Sequence, residues 1–220
     1  EFPASPVKLT EQAGHSLGRL FGANEVLNPW LGLFLTREAI ASNAIEGTIT
    51  TARELYLFAN EDADATSKGS DRREVQNYIK AMIRGIDLLK TRPIALNLIN
   101  ELHLILLEGV KGQDKFPGQI RKRQNAISKN KFEDARFIPP PPSEVMPAIT
   151  DLELFIHESS NIPNIIRAAL IHYQFEAIHP YLDGNGRIGR LLVPLLLSSW
   201  GVLPNGLPRF YLSNYLEKHD

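Results

Sequence analysis

The chain has 220 residues, 43% hydrophobic and 22% charged, enough to bury a sizeable core in one large domain or one domain with an appendage. A formal net charge of −1 gives no whole-chain pull toward nucleic acid or an anionic membrane, and the absence of cysteine excludes a disulfide framework and thiol chemistry. No apolar run approaches the roughly 20 residues of a membrane span, and the opening "EFPASPVKLT" lacks the layout of a signal peptide, so a cytoplasmic protein without nucleic-acid or membrane partners is expected.

In chain order, most of the sequence reads as helix. "NPWLGLFLTREAIASNAIEG" carries helix-spaced apolar residues at Leu33, Ile40, Ala44 and Ile45, with Gly47 as its stop. "TARELYLFANE" predicts a second helix, capped by Thr51 with Glu54 three residues on. "DADATSKGSDRRE" is a polar, glycine-bearing break, expected as an exposed connection. "EVQNYIKAMIRGIDLLK" is amphipathic, with Val75, Tyr78, Ile79, Met82, Ile83 and Ile86 on one side. "IALNLINELHLILLEG", after Pro93, predicts a helix that stops at Gly109.

"GQIRKRQNAISKNKFEDARFIPPPP" breaks that rhythm. Two short β-like pieces around "KNKFED" predict a hairpin near residues 126–138, and Pro139 to Pro142 predict an extended exit. Helices resume in "SEVMPAITDLELFIHE", "IPNIIRAALIHYQFEAIH" and "RLLVPLLLSSWG", the last two apolar enough to be central. The expected architecture is all-α with one small β element, an N-terminal helical segment over residues 1–65 and a core over 66–220. The chain begins without Met and "YLSNYLEKHD" breaks off inside a helical pattern, which points to a longer parent.

The chemistry concentrates in "HPYLDGNGRIGR", His179 to Arg190. Pro180 disfavours the α conformation in the residue before it, so one helix ends near His179 and the next starts around Gly186 or Arg187. Between them Gly184, Asn185 and Gly186 permit positive φ and close backbone approach, letting N–H groups converge on an anion at the positive end of a helix. Arg187 and Arg190, at i and i+3, both reach toward one ligand there, which suits a chain of phosphates. Asp183 beside phosphates calls for a divalent ion, and Mg²⁺ is commonly held by a carboxylate plus phosphate oxygens. His179, with an ordinary pKa of about 6.5, reads as the acceptor of a proton from an attacking hydroxyl. A Gly-Asn-Gly loop alone is usually a turn, and arginines so spaced usually face solvent; the combination is what singles out an anion site.

These residues resemble the signature of the Fic family, His-Pro-aromatic-x-(Asp/Glu)-Gly-Asn-Gly-Arg-x-x-Arg, with Tyr181 where phenylalanine is commoner. "GQIRKR", "RFIPPPPSEV" and "HYQFEAIHP" resemble the family's flap region and pre-motif helix. The resemblance implies a mostly helical Fic core that binds ATP with Mg²⁺ and transfers AMP to a Tyr, Thr or Ser hydroxyl of a target protein. It implies His179 as general base, Asp183 as the Mg²⁺ ligand, Gly184, Asn185 and Gly186 as the anion hole, and Arg187 and Arg190 as holders of the outer phosphates. "ASNAIEGT" resembles the family's inhibitory motif (Ser/Thr)-x-x-x-Glu-(Gly/Asn), matched by Ser42, Glu46 and Gly47, in which the glutamate would occupy Arg190. The hairpin is then the family's flap, whose strand edge would pair with an extended target segment, with Arg136 and Phe137 nearest the site. "FYLSNYLEKH" resembles the region lining the adenine pocket, which places Tyr215 and Leu216 against the base; a homodimer is a further expectation from similar proteins.

Other readings compete. His172, Glu176 and His179 fall at i, i+4 and i+7, a face that would suit a metal-dependent hydrolase. A non-enzymatic binding module is another class. Within the enzyme class stand removal of AMP from a modified target and transfer from another nucleotide or a phosphocholine donor. The basic "RKRQN" and the tetraproline read more economically as a surface cluster and a rigid strand exit than as nucleic-acid or SH3 ligands.

Overall fold

The computed structural model describes residues 6–22, 31–57, 67–127, 137–203 and 212–219, and these are dominated by helix. In order they form α1 (Pro6–Gly22), α2 (Leu31–Ile45), α3 (Ala52–Leu57), α4 (Ser67–Leu88), α5 (Leu96–Leu106), α6 (Pro142–His157), α7 (Asn164–Ile178), α8 (Asn185–Ser199) and α9 (Leu212–His219). The axis of the bundle is α8, buried at Asn185 and from Arg187 through Leu197, because "LLVPLLL" is apolar on every face and must be enclosed, while Arg187 and Arg190 are buried with partners. It lies against α2, α4, α5 and α7, and α4 comes so close that a Cβ at Gly85 would sit 2.8 Å from Leu195. Each fully buried leucine there contributes about 1.5–3 kcal/mol. That enclosure anchors α8, and so fixes the loop that precedes it.

The amphipathic reading of α4 holds for Val75, Tyr78 and Met82, which are buried, while Ile83 is 53% exposed. The helix starts at Ser67, so the second half of the polar break is its first turns; Asp71, Arg72 and Arg73 are half-buried there and Glu74 is buried against Arg187. In α2 the helix-spaced apolar residues mark the buried side only in part: Ile40 packs partly buried against the core but Leu33 is 44% exposed, and the fully buried positions include Leu35, Glu38, Ala39, Ser42 and Asn43. Apolar spacing misses the rest of that side because part of what α2 buries is polar and paired, Glu38 accepting from the Ser213 hydroxyl and backbone N–H at the start of α9. The Thr51–Glu54 box forms as expected, Glu54 N–H donating to Thr51 Oγ1 at 3.2 Å and Thr51 N–H to Glu54 Oε2 at 2.9 Å. Helix α1 was not foreseen.

Among the described residues the hairpin is reduced to one antiparallel bridge, Ile127 to Phe137, with Ile127 N–H donating to Phe137 O at 3.0 Å. Residues 128–136, Arg136 included, lie outside the described set. Pro142 opens α6 instead of extending the exit, since its missing N–H costs nothing in a first helical turn. None of the described helices is long and apolar enough to cross a membrane.

Candidate active site

Helix α7 stops at His179, which takes a left-handed conformation (φ 50, ψ 61) ahead of Pro180. The chain then crosses to α8 in five residues, and Asn185 locks the crossing: its Oδ1 accepts from Tyr181 N–H and its Nδ2 donates to Tyr181 O, both at 2.8 Å. Gly184 is the N-cap of α8 at φ 77, a value glycine adopts without strain, and it offers no side chain to the first turn. The free N–H groups of that turn therefore face whatever anion approaches, at the positive end of the helix.

An anion already stands beside that turn. The Glu46 carboxylate lies against Gly186, where an added Cβ would collide with Oε1, and it accepts from Arg190 Nη2 at 2.7 Å. Arg190 is otherwise held by Ser42, its Nε donating to Oγ at 2.9 Å and Nη2 to the Ser42 carbonyl at 2.8 Å. Local backbone delivers Glu46 to this spot. Gly47, at φ 87, ends α2 with Gly47 N–H donating to Ala44 O at 2.9 Å and Thr48 N–H to Asn43 O at 3.0 Å, the double bond of a Schellman turn. Glu46 thus occupies the C-cap, and its side chain leaves the helix toward α8.

Arg187 has different partners from Arg190. It is 4% exposed and pairs with Glu74 of α4 at 3.2 Å and with Asp183 at 3.3 Å, while Thr48 Oγ1 donates to the same Glu74 oxygen at 2.7 Å. The two arginines that the sequence aims at one ligand therefore diverge, Arg187 bracing Asp183 and Arg190 facing the glycine loop. Asp183 also accepts from Gly184 N–H at 2.7 Å, and its side chain stays 31% exposed, so the carboxylate is fixed yet reachable.

Sequence reasoning missed the support beneath the loop. Tyr181 stacks on His103 of α5 with ring centroids 3.8 Å apart, and its hydroxyl donates to Asn100 Oδ1 at 2.7 Å, which gives a tyrosine here a partner that phenylalanine would lack. Gly118 N–H donates to His103 Nδ1 at 2.7 Å, so the ring proton sits on Nε2 and donates to the Asp183 carbonyl at 2.9 Å. Burial holds the His103 imidazole neutral, its pKa lowered from 6.5 to about 4. The folded ring refuses a proton that the unfolded chain accepts. This contribution to stability is therefore full above about pH 6.5 and is lost as pH falls toward about 4, roughly 3 kcal/mol in all. Thermal unfolding followed by circular dichroism should show a falling midpoint across that window and a flatter dependence in His103→Gln; equal slopes would discount the assignment.

The remaining expected residues scatter. His172 and Glu176 pack against α8, where a Cβ on Gly189 would collide with the Glu176 carboxyl. Burial raises that carboxyl to about 7. Among the described residues no three His, Asp or Glu side chains gather where they could hold a metal ion. Tyr215 is 59% exposed and stacks on His219 of its own helix at 4.1 Å, whereas Leu216 lines an apolar cavity of about 520 Å³ with Ala168, His172, Val193, Leu197 and Leu212. Phe137, one of the two bridge residues, is 44% exposed.

The protein is all-α, with a central helix that opens on a glycine-lined loop beside the Glu46 carboxylate. Its family is shown by sequence. The Fic/DOC family model matches residues 93–197 and the Fic/DOC family N-terminal model residues 7–87, together most of the chain, which belongs to the Fic/DOC family. It is 40% identical over 93 residues to the protein adenylyltransferase fic-1 of Caenorhabditis elegans, covering 41% of this chain and 17% of that protein. It is 32% identical over 178 residues to the protein adenylyltransferase Fic of Drosophila sechellia, covering 79% of this chain and 34% of that protein. The chain thus spans about a third or less of these curated relatives. A crystal structure of a Fic family protein from Desulfovibrio desulfuricans G20 shares the fold, with a TM-score of 0.74 and 24% identity over 99% of this chain and 64% of that one.

Proposed function

We propose that this chain is the catalytic part of a protein adenylyltransferase, taking ATP with Mg²⁺ at the Gly184–Gly186 loop and transferring AMP to a Tyr, Thr or Ser hydroxyl of a target protein under restraint by Glu46. The observation that carries the reading is the Glu46 carboxylate resting against Gly186 and bonded to Arg190 at 2.7 Å: a guanidinium that holds this anion beside the first turn of α8 can hold a phosphate oxygen in its place. The two relatives named protein adenylyltransferases support the reaction type.

The chain's own groups fit the steps. His179 Nδ1–H donates to Glu176 O at 3.3 Å, leaving Nε2 with its lone pair, and burial holds the imidazole below its usual range, so it is unprotonated at neutral pH. It takes the proton of the target hydroxyl as that oxygen bonds to the α-phosphorus; the bond to the bridging oxygen breaks and pyrophosphate leaves. The loop N–H groups and the start of α8 stabilise the charge gathering on the α-phosphate. Arg190, once free of Glu46, pairs with an outer phosphate. Asp183, held by Gly184 N–H and Arg187, fits a single carboxylate ligand. Mg²⁺ bound there would neutralise phosphate charge and align the leaving group.

Labelled ATP tests the proposal. In a Glu46→Gly chain incubated with lysate, label on the α-phosphate is expected in protein, and label on the γ-phosphate is expected to remain in pyrophosphate. Incorporation from the γ position alone, or from neither, would sink the reading.

A further inference from the structure

The end of α7 poses a physical problem. His179 carries a side chain in the left-handed region that such residues rarely adopt, and the carbonyls of Ile178 and His179 stand beyond the last helical donors. One guanidinium meets both. Arg121 Nε donates to His179 O at 2.8 Å, and Nη2 donates to Ile178 O at 3.3 Å and to Pro140 O at 2.6 Å. Its Nη1 donates to Arg123 O at 3.2 Å, and its backbone N–H donates to Pro180 O at 2.9 Å. The residue is 3% exposed, and among the described residues it enters none of the ion pairs. Every acceptor it meets there is a backbone carbonyl. Asn125 adds a second tie from the same segment, its Nδ2 donating to Tyr181 O at 2.9 Å.

A fixed positive charge at a helix C-terminus is favourable toward the macrodipole and unfavourable toward a second cation beside it. Burial disfavours the charged form of the His179 imidazole most, the bond to the Glu176 carbonyl favours it, and the surrounding charges divide, Arg121 against it and Glu46 and Asp183 for it.

We propose that Arg121 is a positioning residue for His179: its carbonyl clasp holds the histidine backbone in the left-handed turn, sets a fixed positive charge beside that turn, and through Pro140 and Arg123 ties the base of the hairpin to the backbone that carries the imidazole. The proposal rests on His179 acting as the base of AMP transfer, but its first measurement does not need that activity. In the full chain, the His179 ring is titrated by NMR in Arg121, Arg121→Gln and Arg121→Lys forms. The Gln form should raise the midpoint by about half to one unit, while Lys, which keeps the charge, should leave it in place. In a Glu46→Gly background the acid limb of the kcat profile should move up with Gln. With Lys, kcat should fall about ten- to a hundredfold at nearly constant KM for ATP, because an ammonium cannot span four carbonyls. A midpoint and acid limb unmoved by Gln would overturn the charge role, and undiminished kcat in Lys would overturn the clasp. Should the Gln form fail to fold, the Lys form decides alone. Should no form transfer AMP, the functional reading fails while the titration still tests Arg121.

Discussion

In a Glu46→Gly chain, adding His179→Ala should lower AMP incorporation by roughly 10²–10⁴-fold, the span general-base catalysis usually supplies. The loss should appear in kcat, with nucleotide affinity nearly unchanged. The reason is spatial. His179 sits at the C-terminus of α7 and the glycine loop at the N-terminus of α8, with the Tyr181–Asn185 clamp between them. Removing the imidazole leaves that clamp, the His103 stack and Arg190 in place, so the anion site should survive. The cost to the fold should be small, because both residues carry a Cβ into the left-handed turn and the turn's carbonyls are held by Arg121 whatever the side chain. His179→Asn is a useful companion, since Asn tolerates that backbone region better than Ala. Incorporation measured against ATP concentration, with unfolding monitored in parallel, separates the outcomes. Full activity in a folded His179→Ala chain would remove the base from the mechanism; loss of ATP binding would move its role to the nucleotide.

The parts of this site that the sequence made legible are those packed into one short segment. A proline after a histidine, glycines around an asparagine and arginines at helical spacing each restrict local backbone, so the loop and its neighbouring helix ends follow from twelve consecutive residues. The Ser42–Glu46–Gly47 pattern was readable only through its resemblance to the family's inhibitory motif, since a glutamate before a helix-ending glycine is ordinary by itself. What escaped was long-range. His103 supports Asp183 from 80 residues away, Glu74 holds Arg187 from 113 away and Arg121 holds His179 from 58 away. In two of those pairs the acceptor is a backbone carbonyl, which leaves no trace in residue identity. The face of α2 was legible only in part on similar grounds. Glu38, Ser42 and Asn43 are buried because each meets a partner, a condition that hydrophobic periodicity does not register.

Glu46→Gly should raise AMP incorporation roughly ten- to a hundredfold over the unaltered chain. A charge-assisted hydrogen bond contributes about 1.5–3 kcal/mol, and each 1.4 kcal/mol is about a factor of ten. The lower half of that range is favoured, because the Glu46 side chain is 38% exposed and water screens the pair, even though Arg190 is 7% exposed. Two effects act together on an incoming triphosphate. Glu46 stands against Gly186, where phosphate oxygens would meet the first N–H groups of α8, and it repels them as a like charge. It also engages Arg190, the cation facing that loop, so an outer phosphate finds its partner taken. Removing the carboxylate relieves both, while the two Ser42 bonds keep Arg190 aimed at the site. Glu46→Ala should reproduce most of the gain and exclude added backbone freedom beside Gly47 as its cause. Glu46→Gln, keeping the shape without the charge, should fall between. Ser42→Ala tests the geometry from the other side: it frees Arg190 Nε without unblocking Gly186, so its gain should be far smaller than that of Glu46→Gly. If Glu46→Gly and the unaltered chain incorporate α-labelled AMP equally across ATP concentrations, the Arg190 contact is structural, and whatever limits this site lies elsewhere.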